Sequence, residues 1–249
     1  MVDTNDTQTA EVQSERNIAE FKKIVSFAQR SDRLSPKQER AWNDLAQTYV
    51  IVVPRAFGKN SVAQGFSVDP KLIFNNDAPT ILEIGTGQGE CIAHNAKTRP
   101  CVNFLGLEVY LPGLAHTLQR MRHTPVSNLK MVRVDAADFL DFCLPQHSLQ
   151  EIWVFFPDPW PKARHHKRRL VTAEFLSKAA RCLRPGGVLR LATDWQNYGE
   201  QMIEVISLHP AFDLNIEATR FSARPLTNFE QKGLAKGRAI TDLTAVRRS

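Results

Sequence analysis

Acidic side chains stand where three short apolar runs end: Glu83 closes Thr80–Ile84, Glu108 follows Asn103–Leu107, and Asp135 follows Lys130–Val134. The first run leads into Ile84-Gly85-Thr86-Gly87-Gln88-Gly89-Glu90, where Gly85 and Gly87 let a backbone approach a ligand closely. A dinucleotide fingerprint needs a further glycine where Glu90 stands, and an acid there would repel a pyrophosphate seated on a helix N-terminus. That argues against a nicotinamide-dependent dehydrogenase. Carboxylates in successive turns suit instead a nucleoside that carries positive charge, and S-adenosylmethionine, with its amino group and sulfonium, is such a ligand. Glu108 is placed to accept hydrogen bonds from the ribose hydroxyls, as an acid does in nucleotide-binding folds. Asp135 is placed to take the exocyclic amine of adenine, and Glu83 to hold the methionyl amine directly or through water. Any one of these acids alone would be read as a helix cap. Three of them behind a Gly-x-Gly-x-Gly turn are expected to form a cofactor site.

A second chemical cluster is Phe155-Phe156-Pro157-Asp158-Pro159-Trp160-Pro161-Lys162. Its prolines stiffen the loop and exclude helix, which suits a fixed wall around a ligand. Asp158 offers a carboxylate beside the aromatic platform of Trp160, a pairing suited to a flat base. Lys162, Arg164, Lys167, Arg168 and Arg169 follow without an acid between them, interleaved with His165 and His166. Such a run attracts phosphates, though it is also the composition of a solvated helix start.

These residues need elements to position them. From Thr80 onward, runs of strand length (Thr80–Ile84, Asn103–Leu107, Lys130–Val134, Glu151–Phe156, Gly187–Thr193) alternate with amphipathic segments near Glu90–Lys97, Pro112–Arg122, Arg169–Leu183 and Trp195–Leu208. Alternation of this kind builds a parallel α/β sheet covered by helices on both faces, with ligands bound beyond the carboxyl ends of its strands. Residues 1–17 are polar and aperiodic and are expected to form a flexible tail. Residues 18–70 read as a helical extension, with Ser35-Pro36-Lys37-Gln38 as a capping box, and residues 71–249 as the main domain. The chain has 249 residues, a net charge of +6 and 43% hydrophobic residues, enough for a sizeable core and suited to a polyanionic partner. No apolar run approaches the roughly 18–20 residues that span a bilayer, and the polar N-terminus lacks a signal-peptide core. Cys91, Cys101, Cys143 and Cys182 show no metal-ligand spacing, so no metal is expected and the cytoplasm is the expected address.

LEIGTGQGE (82–90), GLEV (106–109), FPDPWPKARHHKRR (156–169), RPGGVLRLATDW (184–195) and TNFE (227–230) together resemble the bacterial tRNA (guanine-N7)-methyltransferases, over residues from about 22 to 243. The resemblance implies a class I, S-adenosylmethionine-dependent fold: a Rossmann-like, doubly wound, mostly parallel sheet. It implies methyl transfer to N7 of the guanosine in the tRNA variable loop, conventionally position 46. It further implies cofactor contacts from Glu83, Glu108, Asp135 and Asp158, with Gly85 and Gly87 in the cofactor turn. Substrate contacts would come from Lys162, Asp194, Thr227, Asn228, Phe229 and Glu230, and RNA contacts from Arg164, His165, His166, Lys167, Arg168 and Arg169. Two positions depart from the family pattern: Asn228 stands where Lys or Arg is usual, and Lys232 where Arg is frequent. Loss of a planar cationic fork weakens any claim that this segment grips phosphate.

The nucleophile sets what the protein must supply. Guanine N7 presents an in-plane lone pair and no proton, so attack needs no general base. It needs alignment and exclusion of water. Positive charge moves from sulfur to purine, and a fixed carboxylate stabilises it and orients the ring. Asp158 and Asp194 are the candidates, with Asp158 preferred for catalysis because its turn is stiffer. Lys162 is placed to donate to guanine O6 or to a phosphate. Methylation of an exocyclic amine is an enzymatic rival, and RNA binding without turnover is another, disfavoured by the intact set of acids. Nothing in the sequence points to an obligate protein partner.

Overall fold

The computed structural model describes residues 31–56 and 61–249; the tail expected over residues 1–17 lies outside them, as does the start of the extension. Among the described residues, eight strands form one sheet: β1 (Val50–Ile51), β2 (Thr80–Ile84), β3 (Asn103–Leu107), β4 (Leu129–Val132), β5 (Leu149–Phe155), β6 (Leu183–Thr193), β7 (Phe212–Ile216) and β8 (Thr241–Arg247). Their spatial order is β1-β4-β3-β2-β5-β6-β8-β7. Neighbours from β1 to β6 run parallel, whereas β8 joins β6 antiparallel and β7 joins β8 antiparallel. The chain builds outward from β2 through β3 to β4, then returns to lay β5 on the other side of β2. The switch point therefore lies between β2 and β5, with Glu83 paired to Trp153 across it.

Eight helices connect these strands among the described residues: α1 (Pro36–Tyr49), α2 (Pro70–Phe74), α3 (Glu90–Thr98), α4 (Leu111–Arg122), α5 (Ala136–Asp138), α6 (Ala173–Cys182), α7 (Gln196–Ser207) and α8 (Asn228–Leu234). A π-helical turn, Phe139–Cys143, continues α5, and a 3-10 turn spans Ala163–Arg168. None of the described helices is long and apolar enough to cross a membrane.

Alternation along the central strands divides the core. Leu82, Ile84, Leu105, Leu107, Ile152 and Val154 face a layer that includes Leu176 of α6 and Tyr198 and Met202 of α7. Ile81, Phe104 and Trp153 face the opposite layer, with Ile92 of α3, Leu118 of α4 and Ala41 of α1. Every residue of β2 and β3 is buried, the signature of strands covered on both faces. Glu83 shares the register of Ile81, so a carboxyl is carried into the interior by strand geometry alone.

Several expected elements are shifted. The capping box at Ser35 is present: Ser35 Oγ accepts from Gln38 N, and Gln38 Oε1 accepts from Ser35 N. The segment expected to be a helical extension also supplies β1, whose Val50 pairs with Met131 at the sheet edge. The helix expected from Arg169 starts instead at Ala173, because Thr172 caps it by accepting from Phe175 N at 3.1 Å. Arg184-Pro185-Gly186-Gly187 lies within β6 rather than ahead of it.

The antiparallel strands β7 and β8 were not foreseen, and a buried ion cluster ties them in. Arg224 is fully buried; its Nη2 donates to Asp242 Oδ2 at 3.0 Å and to Glu230 Oε1 at 3.1 Å. Its guanidinium also lies 5.3 Å from the ring centres of both Phe155 and Phe156, so one side chain joins β5, β8 and α8. Burial would push the Glu230 carboxyl up, but hydrogen bonds from Arg220 and Arg224 outweigh it and hold it below the usual carboxylate range. Removing one partner of such a cluster leaves uncompensated buried charge. Arg224→Met should therefore cost about 3–5 kcal/mol of stability, read as a lowered urea midpoint at unchanged slope.

Candidate active site

The turn after β2 is shaped by backbone that only glycine adopts easily. Gly87 has φ 55° and donates its N–H to Glu108 Oε2 at 2.7 Å. Gly89 has φ 71°, and a β-carbon there would overlap the Thr117 side chain of α4. Glu108 Oε1 accepts from Val109 N and Tyr110 N, both at 2.9 Å. Its carboxylate thus clamps the glycine turn to the start of α4. Three accepted bonds leave it capacity for a further donor, since an ionised carboxylate offers about four lone-pair sites. Asp135 is buried at the end of the third parallel run and caps α5, accepting from Ala137 N at 2.9 Å.

Glu83 differs from these. It is buried, and its Oε2 has no hydrogen-bond partner among the described residues. Burial pushes its carboxyl up to about 8, a hydrogen bond from the Cys91 thiol opposes this, and the charge of Glu108 adds to it. Thr86 Oγ1, in the same turn, is likewise buried without a partner. The sequence offered no signal for Thr86 beyond its place between two glycines. An orphaned acid and hydroxyl beside a glycine turn have the chemistry to receive a donor group such as an ammonium.

Across the switch point, Phe156 N donates to Ala192 O at 2.8 Å, which seats the proline loop against the end of β6. Phe156 and Trp160 both hold left-handed backbone, at φ 53° and 46°, on either side of Pro157-Asp158-Pro159. Non-glycine residues hold such angles only where the surroundings over-determine them, at roughly 1–3 kcal/mol each. Asp158 is exposed, and its charge helps raise the Glu108 carboxyl, after burial as the main cause and against three opposing backbone hydrogen bonds. Glu83, Glu108 and Asp158 therefore share one field. Asp194 lies one residue past β6, where strand pairing aligns Phe155 with Ala192; it is buried and accepts from Arg238 Nη1 at 2.7 Å.

The basic run divides. Lys162, Arg164 and Lys167 are exposed, His165 and His166 are partly covered, and Arg168 stacks 5.0 Å from the Trp160 ring centre. Arg169, expected among the RNA contacts, turns inward. It is buried, and its guanidinium donates to Pro159 O (2.9 Å), Gln201 Oε1 (2.8 Å) and Asn197 Oδ1 (2.9 Å). Its charge is spent on tying the proline loop to α7.

The Thr227–Glu230 segment opens α8 at the rim. Thr227 Oγ1 caps the helix by accepting from Glu230 N at 3.2 Å. Phe229 is half exposed and packs 5.3 Å, ring centre to ring centre, from Phe156. Asn228 donates from its backbone to Glu90 Oε2 at 2.8 Å. Glu230, expected to touch substrate, has its buried carboxylate occupied by Arg220 and Arg224. Charge and size alone could not show that Arg169 and Glu230 turn inward, nor that Arg224 is the buried partner of Glu230.

Comparison with known proteins places this geometry. A protein-family model described as "Putative methyltransferase" matches residues 77–243. Among solved structures, the 16S rRNA methyltransferase KamB superimposes with a TM-score of 0.54, at 16% identity, over 75% of this chain and 96% of that one. The fold is that of the class I methyltransferases. A protein of Cutibacterium acnes is 44% identical over 226 residues, 89% of this chain and 82% of the relative. A second, from Nocardioides sp., is 40% identical over 228 residues, 92% of this chain and 89% of the relative. Both carry the name tRNA (guanine-N(7)-)-methyltransferase, and the chain belongs to this family.

The raised Glu83 carboxyl gives the site a pH signature. An ammonium seated on Glu83 would prefer the carboxylate, so below about pH 8 its binding would displace a proton. Affinity for S-adenosylhomocysteine should rise from pH 6 to 8 by up to about tenfold per unit, with proton release seen as buffer-dependent enthalpy in calorimetry. Glu83→Gln should remove both effects.

Proposed function

We infer that this site transfers a methyl group from S-adenosylmethionine to N7 of a guanine in tRNA, and that the guanine is the variable-loop residue at conventional position 46. The observation that carries the assignment is the convergence of Glu83, Glu108 and Asp158 in one electrostatic field around the switch point, with Asp194 at the neighbouring strand end. Like charges gathered at strand ends are relieved by a cationic ligand. Bound there, S-adenosylmethionine supplies an electrophilic methyl group on a sulfonium.

The chain's own residues do the remainder. Glu83, with its unpartnered oxygen, receives the ammonium end, with Thr86 beside it. Glu108 holds the turn of Gly85 and Gly87 and accepts from the ribose with its remaining capacity. Asp135 takes the adenine amine at the rim of its helix cap. Asp158, fixed between prolines, orients the guanine and stabilises the positive charge that develops on it. Asp194 and Lys162 flank the base, and Thr227, Asn228 and Phe229 form the opposite wall. No residue is required as a general base, because N7 carries no proton. Arg164, Lys167 and Arg168, with His165 and His166, follow directly on the loop and guide the RNA backbone past it. A tRNA substrate and four free cysteines agree with a cytoplasmic address.

Transfer of labelled methyl from S-adenosylmethionine to unmodified tRNA, followed by mass spectrometry of the nucleosides, tests the reaction. 7-Methylguanosine at the variable loop is expected; an exocyclic methylated amine as sole product would overturn the assignment. Asp158→Ala should lower turnover by about 10²–10³-fold while changing tRNA affinity little. The cations of the run that do not turn inward give a separate outcome. Replacing Arg164, Lys167 and Arg168 with Ala should flatten the salt dependence of log tRNA affinity by about 2–3 units, at roughly 0.7–0.9 per phosphate contact. Arg169→Ala should instead act through stability.

A further inference from the structure

Glu90, the residue that argued against a dinucleotide, has a structural position that neither cofactor nor RNA binding accounts for. It is the first residue of α3, directly after the glycine turn. Its Oε2 accepts from Asn228 N at 2.8 Å, and its Oε1 accepts from Asn228 Nδ2 at 2.5 Å and from Arg120 Nη2 at 3.2 Å. Arg120 Nε in turn donates to Gln88 O, inside the turn, at 2.8 Å. One carboxylate thus joins the cofactor turn, α4 and the N-terminus of α8, which is 138 residues away in the chain.

The chemistry of this contact is that of a helix cap supplied from a distance. Asn228 is the first residue of α8, and its N–H is one of the donors a helix leaves unpaired at its start. A carboxylate placed there also favours the positive end of the helix dipole. α8 carries Phe229 against Phe156, so its position sets the wall facing the proline loop. The glycine turn and the substrate wall have a mechanical link, and Glu90 is that link.

We propose that Glu90 is a positioning residue that couples cofactor occupancy of the glycine turn to tRNA engagement by α8, with Asn228 as the receiving half of the latch. The proposal rests on the assignment of the turn to the cofactor and of α8 to the substrate wall. It also explains Asn228: an amide that donates from side chain and backbone to one carboxylate does the work of a cation there, without a claim on phosphate.

Coupling between two sites is reciprocal and is measured as a ratio of affinities. The experiment uses the full chain and unmodified tRNA transcript, with S-adenosylhomocysteine as a ligand that cannot react. Wild type should bind tRNA about fivefold or more tighter with S-adenosylhomocysteine bound than without it. In Glu90→Gln and in Asn228→Ala that ratio should fall towards one, while S-adenosylhomocysteine affinity without RNA changes less than about threefold. Charge gives a sharper arm. Asn228→Lys sets an ammonium against Glu90 and should keep or raise the ratio. Asn228→Asp should abolish it, although an acid at the first position of a helix stabilises that helix, so weakened α8 cannot be the cause. Equal ratios in wild type and in Asn228→Asp, or no coupling in a wild type that binds S-adenosylhomocysteine and methylates N7, overturn the latch alone. A wild type that fails to bind S-adenosylhomocysteine removes the cofactor assignment beneath it.

Discussion

The parallel pairing of β2 with β5 is the constraint from which the rest of the site follows. At this seam the chain reverses its direction of winding, so the loops after β2 and β5 diverge to opposite sides and leave a crevice. One wall is the glycine turn, held by the Glu108 carboxylate; the other is the proline loop, held by Arg169 below and by Phe156 N at the end of β6. The two also meet through α8, whose Asn228 is held by Glu90 beside the glycine turn and whose Phe229 packs on Phe156 of the proline loop. What they share is the sheet, whose β2 and β3 are buried along their whole length. A rigid floor with two braced walls suits in-line transfer, where alignment of donor and acceptor is most of the catalytic task.

Burying carboxyl groups is costly unless they are paired, and the chain treats its acids in two ways. Glu230 and Asp242 are given arginines and serve the fold. Glu83 is buried without an ion pair and is pushed towards its neutral form, at a stability cost that builds as pH rises above the ordinary carboxylate value and is complete by about 8. A carboxyl that the protein leaves unsatisfied is one that a ligand can complete.

Much of the sheet was legible because its strands are apolar runs of the right length between glycine and proline punctuation. Thr80–Ile84 and Asn103–Leu107 match their expected bounds, and the capping box at Ser35 sits where the side-chain chemistry demands. The acids at the strand ends were legible for the same reason, since strand ends are where such sheets bind ligands. The antiparallel pair was not. Phe212–Ile216 is a short edge strand with exposed residues, and its partner Thr241–Arg247 is recruited by long-range pairing and by Arg224. In the basic run, composition showed how many charges there are but not which way each turns. Arg169 closes a 3-10 turn whose geometry points it inward, and only packing against Tyr198 and α7 decides that.

The left-handed angles at Phe156 and Trp160 also bear on how this protein can change. Glycine at either place would relieve the backbone, since it adopts such angles at no steric cost, and the fold could gain from the exchange. It would also delete a ring that packs against Phe229, or one that Arg168 stacks upon. Selection for thermostability alone would therefore drift towards losing these aromatics, and selection for turnover would resist it. The loop marks a place where durability and activity pull the same two positions in opposite directions.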